Sequence, residues 1–259
     1  MGSKLRNRKV IITGAGDGIG RALALAFAKE GAQVAACARS MDRLDSLSHE
    51  LEGTGHICLS SDLSKANGVK DFHDNAMKEL GKVDVLINNV GAILKLANFF
   101  DLTDQDWEDS FQINLMSAVR LSRLCIPSLQ QSECARIINI SSIAAARPQD
   151  IFPHYSAMKA GLSNFTVSLA QTLATDKILV NSISPGPVWS KSWENEIQGE
   201  DADQAKKEIM EQTGTTIPLN RMGMPEDLTG LALFLASDQS GWITATNFSV
   251  DGGLTKNPF

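Results

Sequence analysis

The chain has 259 residues, of which 43% are hydrophobic, and a formal net charge of −6. Such a chain can bury a substantial core, whereas its acidic balance argues against a nucleic-acid face, which needs clustered Lys and Arg. Cys37, Cys58, Cys125 and Cys134 lie far apart with no Cys/His spacing suited to zinc, so no metal site is expected and reduced, buried thiols are.

A basic start over residues 4–9 runs directly into an apolar strand, with no signal core between them. Arg6 stands where a myristoylation signal needs Ser or Thr. No segment approaches the ~20 apolar residues of a membrane span, so a cytoplasmic location is expected. Short apolar runs then alternate with helical patterns, as in βαβ units built on a parallel sheet. Strands are expected over residues 9–13, 33–38, 56–59, 84–88, 136–141, 179–184 and 247–250. Helices are expected over 18–30, 41–51, 65–80, 104–130, 154–175 and 225–236. With no linker or composition break, residues 1–259 read as a single α/β domain, a doubly wound parallel sheet of about seven strands with helices on both faces. The acidic stretch 189–215 has no place in such a sheet and begins just past the sixth strand. Ligands bind beyond strand C-termini in these folds, so this stretch is expected to be a substrate lid.

Two motifs carry chemistry. The first strand is followed at once by Gly14-Ala15-Gly16-Asp17-Gly18-Ile19-Gly20 and then by a helix that ends at Gly31. Strand, glycine-rich turn and helix form the context of a dinucleotide fingerprint: the glycines let the backbone approach a pyrophosphate, and the helix N-terminus supplies free N–H groups. The second motif surrounds Tyr155, the one tyrosine of the chain, with Lys159 four residues later and Ser142 thirteen residues earlier. Residues four apart share a helix face. A phenol titrates near pH ~10, and an adjacent ammonium brings it closer to the working range of an acid–base group.

The glycine spacing T-G-x-x-x-G-x-G, together with Asn89-Val90-Gly91, Asn114, Ser142 and Tyr155/Lys159 in this order, resembles the short-chain dehydrogenase/reductase family, in its single-domain, Rossmann-type branch. Pro185-Gly186-Pro187-Val188, the segment from Arg221 to Asp227, and Val250-Asp251-Gly252-Gly253 extend the resemblance over nearly the whole chain. The resemblance implies a catalytic set of Asn114, Ser142, Tyr155 and Lys159. Tyr155 would act as general acid for reduction and general base for oxidation, and Ser142 would hydrogen-bond the substrate oxygen. Ser141 competes for that role, but the thirteen-residue spacing to the tyrosine selects Ser142. Lys159, together with the positive charge of oxidised nicotinamide, would lower the tyrosine pKa while gripping ribose hydroxyls, and Asn114 would position a water. His154 reads as packed or solvated rather than substrate-binding.

Around the cofactor, the resemblance implies contacts from Gly14, Asp17, Gly18, Ile19 and Gly20. It adds Asp62 and Leu63 at the adenine, Asn89 and Gly91 after the fourth strand, Pro185 and Gly186, and Val188 with Ser190 at the carboxamide. The second strand ends Cys37-Ala38-Arg39-Ser40 with no carboxylate, and Arg39 lies nineteen residues past Gly20. A guanidinium suits a 2′-phosphate, Ser40 and Arg43 could add donors, and NADP(H) is therefore favoured over NAD(H), against which Asp17 is the one dissenting charge. Candidate substrate walls are Ile93-Leu94-Lys95, residues 144–148 including Ala144, Ile151-Phe152, and Trp189 with Trp193. Their apolar character points to a hydrophobic ketone or secondary alcohol. An NAD-linked dehydrogenase of a sugar, steroid or ring diol is the alternative, and a non-enzymatic cofactor sensor is a third class. Glu133 and Asp176 stand where carrier-protein reductases present basic residues, which disfavours acyl carrier protein as a partner. Relatives pair the 104–130 and 154–175 helices across two-fold axes, so a homotetramer or homodimer is expected.

Overall fold

A computed structural model describes residues 5–190, 193 and 202–256. Seven strands form one sheet: β1 Lys9–Thr13, β2 Gln33–Ala38, β3 Ile57–Ser60, β4 Val85–Asn88, β5 Arg136–Ile140, β6 Leu179–Pro185 and β7 Asn247–Val250. Their order is β3-β2-β1-β4-β5-β6-β7, with every neighbouring pair parallel. A parallel sheet is covered on both faces, which is why its strands read as unbroken apolar runs. Side chains alternate across the pleat: Val10 and Ile12 point into one core with Leu23, Phe27, Leu44, Leu47 and Leu235. Ile11 and Ala35 point into the other, with Phe72, Leu121, Leu129 and Leu173.

The first face is covered by α1 (Gly18–Lys29), α2 (Met41–Glu50) and α8 (Thr229–Ala236), the second by α3 (Ala66–Leu80), α5 (Ser117–Leu129) and α6 (Pro153–Leu173). α4 (Asp104–Phe111) leads into α5, and α7 (Ala202–Gly214) lies between β6 and β7 in sequence. Local chemistry sets several ends. Thr103 and Asp106 form a reciprocal capping box at the start of α4, and Gly81 ends α3 in the left-handed conformation at φ +76°.

Expected and observed strand and helix ends agree to within two residues, with two differences inside elements. The helix expected over 104–130 is interrupted by a π-turn at Gln112–Met116, where the Asn114 side chain bonds both the Ala92 backbone and Ser110 one turn back. Pro225–Leu228 forms a 3-10 turn before α8 rather than its first α-helical turn. The 189–215 stretch contributes α7, while residues 191, 192 and 194–201 lie outside the described residues.

Strand order reverses between β1 and β4, so the chain leaves their carboxyl ends toward opposite faces and opens a crevice there. The candidate residues gather at this edge.

Candidate active site

At the crevice floor the glycine loop is a cradle that only glycine can line. Gly14 and Gly18 have φ of +67° and +52°, the left-handed region that side chains disfavour. A Cβ on Gly20 would sit 2.2 Å from the Gly14 carbonyl oxygen. Thr13 and Asn89 stitch the two strand ends together. The Thr13 hydroxyl accepts from the Asn89 and Val90 amides at 2.9 and 3.1 Å. Asn89 Nδ2 donates back to the Thr13 and Gly14 carbonyls at 2.9 and 3.2 Å. Asn89 thus shapes the loop with its side chain. Thr13 was not singled out from sequence, although its place immediately before the first glycine is a usable signal. The first-turn amides of α1 face the cradle, where a pyrophosphate would find both free donors and partial positive charge. The residues present therefore fit a dinucleotide.

Around β2 and β3 the charges are arranged more subtly. Arg39 is exposed at the end of β2 and its charge helps hold the Asp62 carboxyl below its ordinary range, a shift led by hydrogen bonding from Ser64. Ser40 caps α2 by accepting from the Arg43 amide at 3.4 Å. Arg43 lies 4.0 Å from the Asp17 carboxylate, so the acidic residue of the glycine loop has a cation beside it. Leu63 is 2% exposed and packed in the core, which leaves only its backbone for an adenine contact. Ile19 is half-buried against the other core.

Across the crevice, Ser142 follows β5 and α6 presents Tyr155 and Lys159. Ser141 is spent on structure, its buried hydroxyl bonded to the Lys159 carbonyl at 3.0 Å and to Ser163 Oγ at 2.8 Å. Ser142 is half-exposed, and its Oγ accepts from the Ala144 amide at 3.1 Å. Lys159 is 2% exposed, and its Nζ donates to the Ile140 carbonyl at 2.8 Å. Burial brings its pKa down to about 8, so at neutral pH most of it is still ammonium. Burial also raises the Tyr155 pKa and outweighs the opposing effect of the Ser142 hydroxyl. Among the protein's own groups desolvation wins, with the ammonium 5.7 Å from the ring centroid and bonded to Ile140; the lowered phenol that the resemblance implies draws on Lys159 together with oxidised nicotinamide.

Gly91 completes this cluster. A Cβ there would lie 2.7 Å from Lys159 Nζ and 3.0 Å from Asn114 Oδ1. Asn114 itself is fully buried, accepting from the Ala92 amide at 2.9 Å and donating to the Ala92 carbonyl at 3.0 Å and Ser110 Oγ at 3.2 Å. Its side chain therefore fastens the β4 loop to the π-turn. His154, next to the phenol, is fully buried with, among the described residues, no hydrogen-bond partner at either ring nitrogen, its ring edge-on to Trp107 at 6.2 Å.

Beyond β6, Pro185 is buried and the Gly186 amide donates to Val250 at 3.0 Å. A Cβ on Gly186 would meet Asp251 Cβ at 2.8 Å. Val188 bridges to Gly223, and Ser190 Cβ lies 3.2 Å from the position a Gly18 Cβ would take, which brings the 188–190 segment back over the glycine loop. Among the wall candidates, Ala144 is buried and the Phe152 ring stands edge-on to Tyr155 at 5.9 Å. Trp193 Nε1 donates to the Val188 carbonyl at 3.1 Å. Trp189 is only 6% exposed and lies beneath Lys206 of α7 at 4.9 Å, so its indole packs against α7 instead of presenting a free wall. Among the described residues there is no cluster of metal-ligating side chains, and no helix is long and apolar enough to cross a membrane.

A glycine cradle facing a serine, a tyrosine and a buried lysine across a switch-point crevice defines the class of nicotinamide-dependent oxidoreductases. Comparison with known proteins agrees. The family model described as enoyl-(acyl carrier protein) reductase matches residues 14–255. The oxidoreductase YvrD of Bacillus subtilis is 32% identical, covering 99% of this chain and 100% of that protein. Acetoacetyl-CoA reductase of Cupriavidus necator is also 32% identical, over 96% of this chain and 99% of that protein. Among solved structures, L-sorbose reductase from Gluconobacter frateurii, complexed with NADPH and L-sorbose, superposes with a TM-score of 0.90 at 29% identity, covering 99% of this chain and 100% of that one. The chain belongs to the short-chain dehydrogenase/reductase family.

Proposed function

We propose that the protein transfers hydride between NADP(H) and a hydrophobic ketone or secondary alcohol, with Ser142, Tyr155 and Lys159 as its catalytic side chains and Asn114 supporting them. The observation that carries this reading is the meeting of Tyr155, Ser142 and the 2%-exposed Lys159 at the edge of the glycine cradle. When bound, the nicotinamide supplies or accepts the hydride. In reduction, the Tyr155 hydroxyl donates its proton to the carbonyl oxygen while Ser142 hydrogen-bonds that oxygen and favours its alkoxide character. In oxidation Tyr155 takes the proton back. Lys159, mostly ammonium at neutral pH, holds ribose hydroxyls and offsets the penalty that burial places on phenolate.

Arg43, beside Gly16 of the cradle, and Arg39, exposed at the end of β2, support a 2′-phosphate, as does the NADPH held by the similar L-sorbose reductase. NAD(H) is the second reading, favoured by the Asp17 carboxylate that engages Arg43. Its substrate would be a sugar, steroid or ring diol. Dissociation constants decide between them: NADPH should bind at least about tenfold tighter than NADH, with Arg39→Ala erasing most of the difference. A clear NADH preference rejects the Arg39 argument. Tyr155→Phe should bind cofactor normally and lose turnover, and undiminished activity rejects the mechanism.

Residues 189–215 serve as the lid, a reading supported by the return of Ser190 over the glycine loop just past β6. Acyl carrier protein is disfavoured as a partner by the acidic Glu133 and Asp176. The single domain assembles as a homotetramer or homodimer through α4–α5 and α6, and a sedimentation mass near 27.9 kDa rejects this assembly. Four free thiols suit a reducing cytoplasm.

A further inference from the structure

The segment from Ile93 to Phe100 leaves a strip of apolar side chains bare at the mouth of the cleft. Leu96 is 60% exposed, Phe99 63% and Phe100 92%, with Ile151 beside them at 47%. Contiguous exposed apolar surface of this kind marks a binding site more often than chance exposure. The strip is tied to the candidate catalytic residues at its start and at its middle. On one side, Ala92 is clamped by the Asn114 side chain. On the other, the Ala97 amide donates to the Ile151 carbonyl at 2.8 Å, and Phe152 next to it stands against the Tyr155 ring. Lys95, the one charge within the strip, and Asp101 just beyond it are both engaged locally. Lys95 Nζ binds the Asp101 carbonyl and the Asp106 carboxylate, each at 2.9 Å, and the Asp101 carboxylate accepts from Asn98 Nδ2 at 2.6 Å. Phe99 and Phe100 brace each other edge-to-face at 5.6 Å.

We propose that this strip is an outer substrate subsite, so that the enzyme acts on uncharged carbonyl compounds or alcohols with a long hydrocarbon body. The reacting carbon lies at Tyr155, and the body runs outward past Ile151 and Leu96 to Phe100. This rests on the hydride-transfer reading above and adds a size and polarity class to it. An apolar body gains by removing its own surface and that of the strip from water, whereas a small polyol gains nothing there. With Lys95 and Asp101 both engaged, the strip itself, among the described residues, offers no unpaired cation to a carboxylate or phosphate on the far end of the substrate.

The test is a series of 2-alkanones from butanone to 2-decanone with NADPH. In the wild type kcat/KM should rise roughly twofold per added methylene, the value for one-sided burial of a CH₂. In Phe100→Ser and Leu96→Ser the ratio of kcat/KM for 2-decanone over butanone should fall on the order of tenfold, mainly through KM. Both side chains are exposed, so neither change threatens folding. Turnover of short ketones with no length dependence, or variants that lower kcat/KM equally for all lengths, overturns the subsite while leaving hydride transfer standing. A variant whose sedimentation mass falls with its length preference intact overturns it too, because the strip is then an interface between copies of the chain. No turnover of any ketone or the matching alcohols overturns the catalytic reading, and the subsite with it.

Discussion

Gly91→Ala tests the active-site arrangement at a position expected to line the cofactor, without removing any side chain that performs chemistry. Gly91 has a negative φ, so alanine is conformationally acceptable and the effect is one of space alone. The new Cβ would start 2.7 Å from Lys159 Nζ and 3.0 Å from Asn114 Oδ1. Ordinary contacts begin near ~3.5 Å, so the ammonium must retreat by about 0.8 Å. It cannot do so freely, because Nζ is bonded to the Ile140 carbonyl at 2.8 Å and the residue is 2% exposed. Losing or stretching a hydrogen bond to a charged group costs about 1.5–3 kcal/mol, which sets the expected fall in stability. A displacement near 1 Å in a positioned group costs on the order of 10²-fold in rate. Steady-state kcat at saturating NADPH should therefore fall by about that factor, while circular dichroism shows an intact fold and the melting point drops by several degrees. A kcat within twofold of wild type would refute the claim that the Lys159 position limits the reaction.

Other consequences follow from burial. His154 is held below its ordinary pKa mainly by desolvation, with Asp106 opposing and Lys95 adding to the shift. The unfolded chain then takes up the proton first as pH falls through ~6.5, and wild-type stability is lost from there downward; His154→Phe should flatten the melting-point profile between pH 7.5 and 5.5, and parallel profiles would contradict this. Lys159, with a pKa of about 8 against an ordinary 10.5, behaves likewise at higher pH. Its stability contribution is complete above the unfolded value and lost as pH drops to the folded one, so wild-type stability relative to Lys159→Met should rise between pH 8 and 10.5; a constant difference would place the amine in water. Burial pushes the thiols of Cys37 and Cys125 to about 12. In the native state a thiol reagent should label half-buried Cys58 first and leave Cys37 and Cys125 untouched until unfolding, and rapid native labelling of all four would contradict the packing.

What the sequence determined is what depends on neighbours along the chain. Strand ends emerge from apolar runs, the glycine cradle from a spacing that only one backbone path satisfies, and the shared face of Tyr155 and Lys159 from helical periodicity. Tertiary structure decided the rest, because burial and partners come from residues far away. Ser141 and Ser142 are adjacent and chemically identical, and only docking against α6 turns one inward to Ser163 and leaves the other at the cleft. The π-turn in the 104–130 helix holds Asn114 in its bond to the β4 loop, a contact that no local periodicity encodes. Trp189 passes for a cleft wall until α7 covers it. Tyr155 most clearly marks the boundary: its position is written in the chain, whereas its proton affinity depends on how much water the surrounding fold removes and how near it brings a positive charge.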